Sequence, residues 1–254
     1  MTGSFDALVT AAGRLKPAEA QRYGTDIKAL VRIGGATLLE ILISALRQTP
    51  QIGRIVVVGP SAARAGAGAD VWIDERESGE ENVFAALRSA RTERAVFAAS
   101  DLPFAKAASI ERLIELMPVS ADAAYPIFSR EEFEGAFPGA RSSFARLRDG
   151  EWTGASVFVV RPEFALRNER LLRRAFGERK NLLALAGLLG PSLALRYAFN
   201  QLHVRDIVKR AEQLMRGSIV ALRDADPGLA MDCDEAADFE YAMAQASGRE
   251  RQRA

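Results

Sequence analysis

Apolar residues in the first part of the chain form short continuous runs that are separated by amphipathic segments. The runs at residues 5–12, 54–60 and 95–100 are rich in Val and Ala and do not alternate with polar residues, which is typical of strands buried on both faces. Residues 37–47 and 82–91 instead carry apolar side chains at helical spacing. Strands and helices that alternate in this way predict a parallel sheet with right-handed crossovers.

The second part of the chain continues this pattern and adds a long helical segment. Residues 164–216 are predicted to be helical, with a break at Gly190 and Pro191, and a strand is predicted at 218–224. We therefore expect a Rossmann-like, three-layer α/β/α fold with a mostly parallel sheet and a helical insertion before the last strand. The remaining predictions are strands at 67–75, 121–128 and 153–162, a helix at 108–117, a polar loop at 14–26 and an irregular stretch at 129–152.

Composition narrows the size and the partners of this fold. With 254 residues, 48% of them hydrophobic and 26% charged, the chain fits a globular domain over residues 1–246, followed by a polar tail at 247–254 that we expect to be disordered. Lys and Arg number 34 against 33 Asp and Glu, so no net field favours nucleic acid or an anionic membrane. A small molecule is the expected partner.

The rare residues and the termini bear on the compartment and on metal chemistry. The chain has one cysteine, Cys233, and one histidine, His203, which excludes a disulfide framework, a Cys-based zinc cluster and a His-rich metal site. The N-terminus lacks a signal-peptide pattern, and we expect a cytoplasmic protein. Residues 182–199 are notably apolar, but the Gly190-Pro191 break argues against a transmembrane span. Core packing is favoured there over a membrane-surface or partner-binding role, and a lipid-linked acceptor or a homodimer interface stays open.

One candidate site residue stands directly after a predicted buried strand. The run at 95–100 stops at Asp101, which is followed by Leu102 and Pro103. In open α/β sheets ligands bind at the carboxyl ends of the strands, and a carboxylate beside an apolar core needs a partner. A metal ion or a cationic ligand would serve, and the alternative is that Asp101 caps a helix.

Two further candidates lie near the end of the first strand. Gly13 would let backbone amides approach a phosphate closely, although it could also serve only as a tight turn. The segment contains neither G-x-G-x-x-G nor G-K-[ST], which disfavours a dehydrogenase and a P-loop kinase. Lys28, in DIKALVRIGG, is a point charge suited to a triphosphate, with a solvated loop lysine as the alternative.

A second acidic group, MDCDEAAD, lies where a strand-like run passes into a helix. Asp232 and Asp234 are two residues apart, so in extended backbone their side chains point the same way. With Asp101 they could bind Mg²⁺, which takes one or two carboxylates and completes its shell with water and substrate phosphates. The alternative is again helix capping, by Asp232 or Asp234.

These segments occur in a distinctive order: LVTAAG at 8–13, KALVRIGGATLLE at 28–40, SDLPF at 100–104, TGASVFVVRPE at 153–163 and DCDEAAD at 232–238. The order resembles the MobA-like nucleotidyltransferases, the molybdenum-cofactor guanylyl- and cytidylyltransferase type within the nucleotide-diphospho-sugar transferase superfamily. The chain departs from that pattern in its first loop, RLKPAEAQRYGTD, in Ser-Asp where the family has Gly-Asp, and in Glu-Ala where it has Thr-Pro.

The resemblance implies an Mg²⁺-dependent transfer of an NMP from an NTP to a small phosphorylated acceptor, with release of pyrophosphate. It implies that Lys28 and Asp101 are catalytic and that Asp101 and Asp234 hold the metal. Ala12, Gly13, Arg14, Lys28 and Asn82 would bind the nucleotide, and Arg141, Thr153 and Ser156 would line the acceptor side.

Two other functions remain open at this stage. The divergent first loop would suit a non-catalytic nucleotide-binding module of the same fold. The DCD at 232–234 matches the D-x-D metal motif of nucleotide-sugar glycosyltransferases, but it lies after the last predicted strand, which disfavours that class.

Overall fold

The computed structural model describes residues 4–178, 187–188 and 190–253. The strands are β1 (Phe5–Thr10), β2 (Arg32–Ile33), β3 (Ala36–Thr37), β4 (Ile52–Gly59), β5 (Val71–Asp74), β6 (Arg94–Ala99), β7 (Ala123–Ser129), β8 (Ala145–Leu147), β9 (Gly150–Gly154), β10 (Val157–Val160) and β11 (Ile219–Leu222). The α-helices within those ranges are α1 (Pro17–Tyr23), α2 (Leu38–Gln48), α3 (Gly79–Ser89), α4 (Ala107–Leu116), α5 (Arg130–Ala136), α6 (Pro162–Arg167), α7 (Glu169–Glu178), α8 (Pro191–Ala198), α9 (Val204–Met215) and α10 (Ala236–Arg253).

The central sheet is mixed and mostly parallel. Its strand order is β5-β4-β1-β6-β10-β7-β9-β8, and β11 pairs with β7. The pairs β5–β4, β4–β1, β1–β6 and β7–β11 are parallel, whereas β10 runs antiparallel to both β6 and β7. Helices cover both faces, and the helices from α6 to α9 precede β11. The predicted Rossmann-like fold with a helical insertion before the last strand is therefore confirmed.

The non-alternating apolar runs have a direct structural cause. In β1, Ala7 and Val9 pack into one hydrophobic cluster, while Leu8 packs into a second cluster on the opposite face. In β6, Val96 and Phe97 divide between the two clusters in the same way. Because both faces of these strands are buried, consecutive positions in the middle of each strand are apolar.

Two segments expected to be irregular contain regular structure. The loop predicted at 14–26 holds α1, which has Pro17 at its first position, where a missing N–H costs nothing. The stretch predicted at 129–152 holds α5, β8 and β9. Helix α5 starts with a capping box, in which the Glu132 N–H donates to Ser129 Oγ at 3.1 Å and the Ser129 N–H donates to Glu132 Oε2 at 2.7 Å.

Other differences lie in the C-terminal part. Helix α10 includes residues 247–253, where the sequence predicts a disordered tail; Glu, Gln and Arg are good helix formers, so a polar composition does not end a helix. Of the apolar segment 182–199, residues 182–186 and 189 lie outside the described ranges. No helix in the described parts is both long and apolar enough to cross a membrane.

Candidate active site

The site forms at the carboxyl ends of β1 and β6. A single turn of 3₁₀ helix, Lys28–Leu30, follows the first loop, and the Lys28 N–H donates to the Gly13 carbonyl at 2.9 Å. This bond places the Lys28 side chain beside the end of β1. A Cβ added at Gly13 would lie 3.4 Å from Lys28 Cβ, so the two residues are in close contact.

Lys28 joins the two acidic segments that the sequence singles out. Its Nζ lies 3.0 Å from Asp101 Oδ2 and 2.5 Å from Asp234 Oδ1. The Lys28 and Asp101 side chains are 12% and 14% exposed, while Asp234 is 68% exposed. The structure therefore brings together three predicted site residues that are far apart in the sequence, with the lysine between the carboxylates.

Backbone pairing holds the second acidic segment against the end of β6. The Cys233 N–H donates to the Asp101 carbonyl at 3.0 Å, and the buried Cys233 side chain packs into the core. The Ser156 hydroxyl donates to Asp232 Oδ2 at 2.8 Å. Asp238, in the first turn of α10, accepts from the Asp234 and Glu235 amides at 3.0 and 2.7 Å, so its carboxylate satisfies the two amides that precede the helix.

The charged side chains around Lys28 shift each other's pKa values. Burial disfavours the charged form of Lys28, but Asp101 and Asp234 outweigh that effect and raise its pKa above the usual value for lysine. Burial and the same two carboxylates raise the pKa of Asp232 to about 7. Such a concentration of perturbed groups in a cleft is typical of a functional site.

A cavity of about 650 Å³, the smaller cavity, opens at the ends of β1, β5 and β6. Arg14 crosses it: its guanidinium donates to Glu75 Oε1 at 2.5 Å and to the Ala12 carbonyl at 3.0 Å. Asn82 lines it but is buried, and its Oδ1 accepts from the Arg76 N–H at 2.6 Å. The lining residues are Thr10, Ala12, Gly13, Arg14, Lys28, Glu75, Arg76, Glu77, Ser78, Gly79, Asn82, Ala99, Ser100 and Asp101.

A second cavity of about 1170 Å³, the larger cavity, lies on the other side of Lys28. Thr153 lines it and Asp234 forms part of its wall, whereas Arg141 is exposed and, like Ser156, lies in the wall of neither cavity. The lining residues are Gly13, Arg14, Lys16, Glu19, Lys28, Tyr125, Ile127, Ser143, Ala145, Leu147, Trp152, Thr153, Gly154, Val204, Ile207, Val208, Ala211, Ile219, Val220, Ala221, Asp234 and Glu235.

Comparison with known families decides what this architecture is. The family model of the MobA-like NTP transferase domain matches residues 7–214. The chain belongs to that family. It is therefore a nucleotidyltransferase, as the order of its motifs predicts, and the matched range covers both the first loop and Asp101.

Solved structures with this fold agree with the family assignment. A hypothetical transferase from Thermus thermophilus is 27% identical, with a TM-score of 0.82, over 92% of this chain and 99% of that one. The 2-C-methyl-D-erythritol 4-phosphate cytidylyltransferase from the same organism is 17% identical, with a TM-score of 0.53, over 96% and 99%. The 4-diphosphocytidyl-2C-methyl-D-erythritol synthase from Anaerococcus prevotii is 14% identical, with a TM-score of 0.59, over 97% of each chain. No curated protein matches the chain.

Sequence reasoning missed several residues of this MobA-like site. Glu75 and Ser78 lie in the smaller cavity because they follow the carboxyl end of β5, and the position of that strand in the sheet could have indicated them. Tyr125, Trp152 and the apolar residues of α9 line the larger cavity. Tyr125 lies in a predicted strand, Trp152 in the stretch predicted to be irregular and α9 in the predicted helical segment, and none of these patterns indicates a cavity wall.

Proposed function

We propose that this MobA-like protein transfers an NMP from an NTP to a phosphorylated small molecule, that it releases pyrophosphate, and that it requires Mg²⁺. In this proposal the smaller cavity binds the NTP and the larger cavity binds the acceptor. The protein is expected to act in the cytoplasm, in keeping with its single cysteine.

The position of Lys28 is the observation that most directly supports the proposal. Lys28 lines both cavities, Asp101 lines only the smaller one, and Asp234 lines only the larger one. A nucleotide and an acceptor bound in the two cavities would therefore meet at this charged group. Holding two reactants side by side in this way can supply a large part of the rate enhancement.

The residues present also fit a hard divalent cation. Asp101 Oδ1 is buried and has no hydrogen-bond partner in the described part of the chain, which leaves one carboxylate oxygen unsatisfied at the meeting point. Asp101 and Asp234 both face Lys28 Nζ, which lies between them. Across the described ranges, no group of three or more His, Cys, Asp or Glu side chains is arranged to hold a metal. Two carboxylates, supplemented by water and substrate phosphates, are the set that Mg²⁺ usually takes.

The proposed reaction is an in-line displacement at the α-phosphorus. An acceptor phosphate oxygen forms a new P–O bond, the bond between the α-phosphorus and the bridging oxygen breaks, and that oxygen leaves with pyrophosphate. The acceptor phosphate is already ionised, so no general base is needed. Bound Mg²⁺ would neutralise charge on the phosphate oxygens.

The protein's own groups would act by position and charge. Lys28, whose charged form its acidic neighbours favour, would offset the charge that grows on the phosphates. Arg14 lines both cavities and supplies a second cation at the boundary. One structural neighbour is a cytidylyltransferase for 2-C-methyl-D-erythritol 4-phosphate, a phosphate monoester, which is in keeping with a phosphorylated acceptor here.

A conservative substitution of Asp101 tests the proposal. We expect Asp101→Asn to lower Mg²⁺-dependent pyrophosphate release by about 100-fold or more, because removing one electrostatic contact at a reacting centre costs this much. The matched control is Asp74→Asn, at the exposed end of β5 and outside both cavities. Circular dichroism and thermal melting would show that both variants fold. Full activity in a folded Asp101→Asn variant would contradict the assignment.

A further inference from the structure

The larger cavity has an uneven distribution of charge. Its charged residues lie at the end shared with or next to the smaller cavity, where Lys28 pairs with Asp234 and Lys16 with Glu235. They are Arg14, Lys16, Glu19, Lys28, Asp234 and Glu235. The opposite end is formed by α9 and β11, and it contributes only apolar side chains to the wall.

Helix α9 presents a consistent apolar stripe to this end. Val204, Ile207, Val208 and Ala211 follow the i, i+3, i+4, i+7 spacing of a single helix face. All four are only half-buried, although they are the apolar face of an amphipathic helix. Strand β11 continues the surface with three residues that are also half-buried, namely Ile219, Val220 and Ala221.

The opposite wall combines apolar and hydroxyl-bearing side chains. Ile127, Leu147 and Trp152 face the same space together with Tyr125, Ser143 and Thr153, and the Arg223 guanidinium lies over the Trp152 ring, 4.5 Å from its centre. The α9 and β11 side chains at the apolar end of this cavity of about 1170 Å³ expose aliphatic surface to water, which is unfavourable unless a ligand covers it. This apolar end and the Lys28 end belong to one cavity, so a ligand that fills it needs both an apolar part and a charged part.

We propose that the acceptor is an amphipathic phosphate monoester, whose phosphate lies near Lys28 and whose hydrocarbon or aromatic body fills the space between α9, β11 and Trp152. The inference rests on the proposed function, because it assigns the larger cavity to the acceptor. It differs from an acceptor made of a small polar sugar phosphate, which would leave the apolar side chains of α9 and β11 exposed to water.

Binding of simple phosphate monoesters tests the inference. Calorimetric titrations would use octyl phosphate, butyl phosphate and glycerol 3-phosphate below micellar concentrations, with Mg²⁺ and a non-hydrolysable NTP analogue present. We expect octyl phosphate to bind at least about tenfold more tightly than glycerol 3-phosphate, with butyl phosphate between them, because each buried methylene group strengthens binding by about fourfold.

Two neighbouring substitutions on α9 connect this preference to the cavity. Val208→Asn places an amide in the apolar wall, and we expect it to weaken octyl phosphate binding by about tenfold. Its control, Lys209→Asn, alters an exposed residue outside the cavity wall and should change binding by no more than about twofold. Affinity for the NTP analogue should be the same in both variants, which shows that each is folded.

Several results would overturn the inference. Octyl phosphate binding no better than glycerol 3-phosphate would do so, as would equal effects of Val208→Asn and Lys209→Asn. A dimer seen by sedimentation that is lost in Val208→Asn, with no octyl phosphate binding, would assign the apolar end to a second copy of the chain. If NTP binds and glycerol 3-phosphate supports pyrophosphate release while octyl phosphate is not preferred, only this inference fails; if no NTP binds, the proposed function fails.

Discussion

At the scale of single residues, the site combines three carboxylates and one ammonium within a small volume. Asp101, Asp232 and Asp234 repel each other, and Lys28 offsets part of that repulsion. Because like charges are costly when water is partly excluded, Asp232 takes up a proton more readily than an ordinary carboxyl does. The arrangement is unfavourable for the empty protein and suits a site that receives a cation.

Asp232 makes this cost measurable as a dependence of stability on pH. Its pKa is raised to about 7 in the folded chain by burial and by Asp101 and Asp234, with Ser156 and Lys28 opposing the shift, whereas in an unfolded chain an Asp has a pKa of about 4. The folded state then binds more protons between these values, so stability falls as the pH rises from about 4 through about 7.

We therefore expect Asp232→Asn to lose less unfolding free energy than the wild type when the pH is raised from about 5 to about 8. The amide cannot ionise, and its oxygen can still accept from Ser156. Urea denaturation with a chelator present would measure both proteins in their metal-free state. Identical losses for the two proteins would show that Asp232 does not titrate in this range.

At the scale of elements, the opposite edge of the sheet contains a different charged group. Asp6 in β1 is buried, and its carboxylate accepts from Arg54 Nε at 3.2 Å, from Arg54 Nη2 at 2.5 Å and from the Arg91 amide at 2.6 Å. Arg54 belongs to β4, and Arg91 lies between α3 and β6. One side chain thus connects three adjacent segments at the amino ends of parallel strands, far from the site.

Because the Asp6–Arg54 pair lies far from the site, its loss should lower the stability of the fold without directly affecting catalysis. We expect Asp6→Ala to lower the free energy of unfolding by about 3–5 kcal/mol, because it leaves the Arg54 guanidinium, whose side chain is only 17% exposed, without its counter-charge. The double variant Asp6→Ala/Arg54→Met should recover part of this loss, since it removes the unpaired charge. Urea denaturation would measure both, and a loss below about 1 kcal/mol in the single variant would contradict the argument.

At the scale of the whole molecule, two cavities share one charged boundary. The smaller is formed by the ends of β1, β5 and β6, and the larger by α9, β9 and β11. Strands from the first part of the chain thus provide the proposed nucleotide side, while elements from the second part provide the proposed acceptor side. A ligand on either side contacts residues of the Lys28 group.

Binding should therefore stabilise the whole fold. With Mg²⁺ and an NTP at about 100 times its dissociation constant, we expect about 2.7 kcal/mol of stabilisation and a Tm raised by about 5–10 °C. Chelation of the metal should remove most of this shift. Thermal melts with each NTP would identify the preferred base, and a Tm that no NTP changes would contradict the proposed nucleotide site.

Much of the fold could be predicted from local pattern alone. The strands at Phe5–Thr10 and Arg94–Ala99 were evident because both of their faces are buried, and the Thr37–Glu40 capping box at the start of α2 was legible in the sequence. Helix α5 was missed, although Ser129 and Glu132 carry the same capping signal, because the surrounding glycines and arginines suggested a loop.

The sequence by itself determined the sheet-forming runs and the candidate residues Lys28, Asp101 and Asp234. Buried strands are visible as runs of apolar residues, and the order of the motifs can be read directly along the chain. Only the tertiary structure decided that these three side chains touch and that Lys28 separates two cavities, since contacts between residues 73 and 206 positions apart depend on how the strands are ordered. It also decided that the apolar stripe of α9 faces open space, because spacing shows which residues share a helix face and not what lies opposite that face.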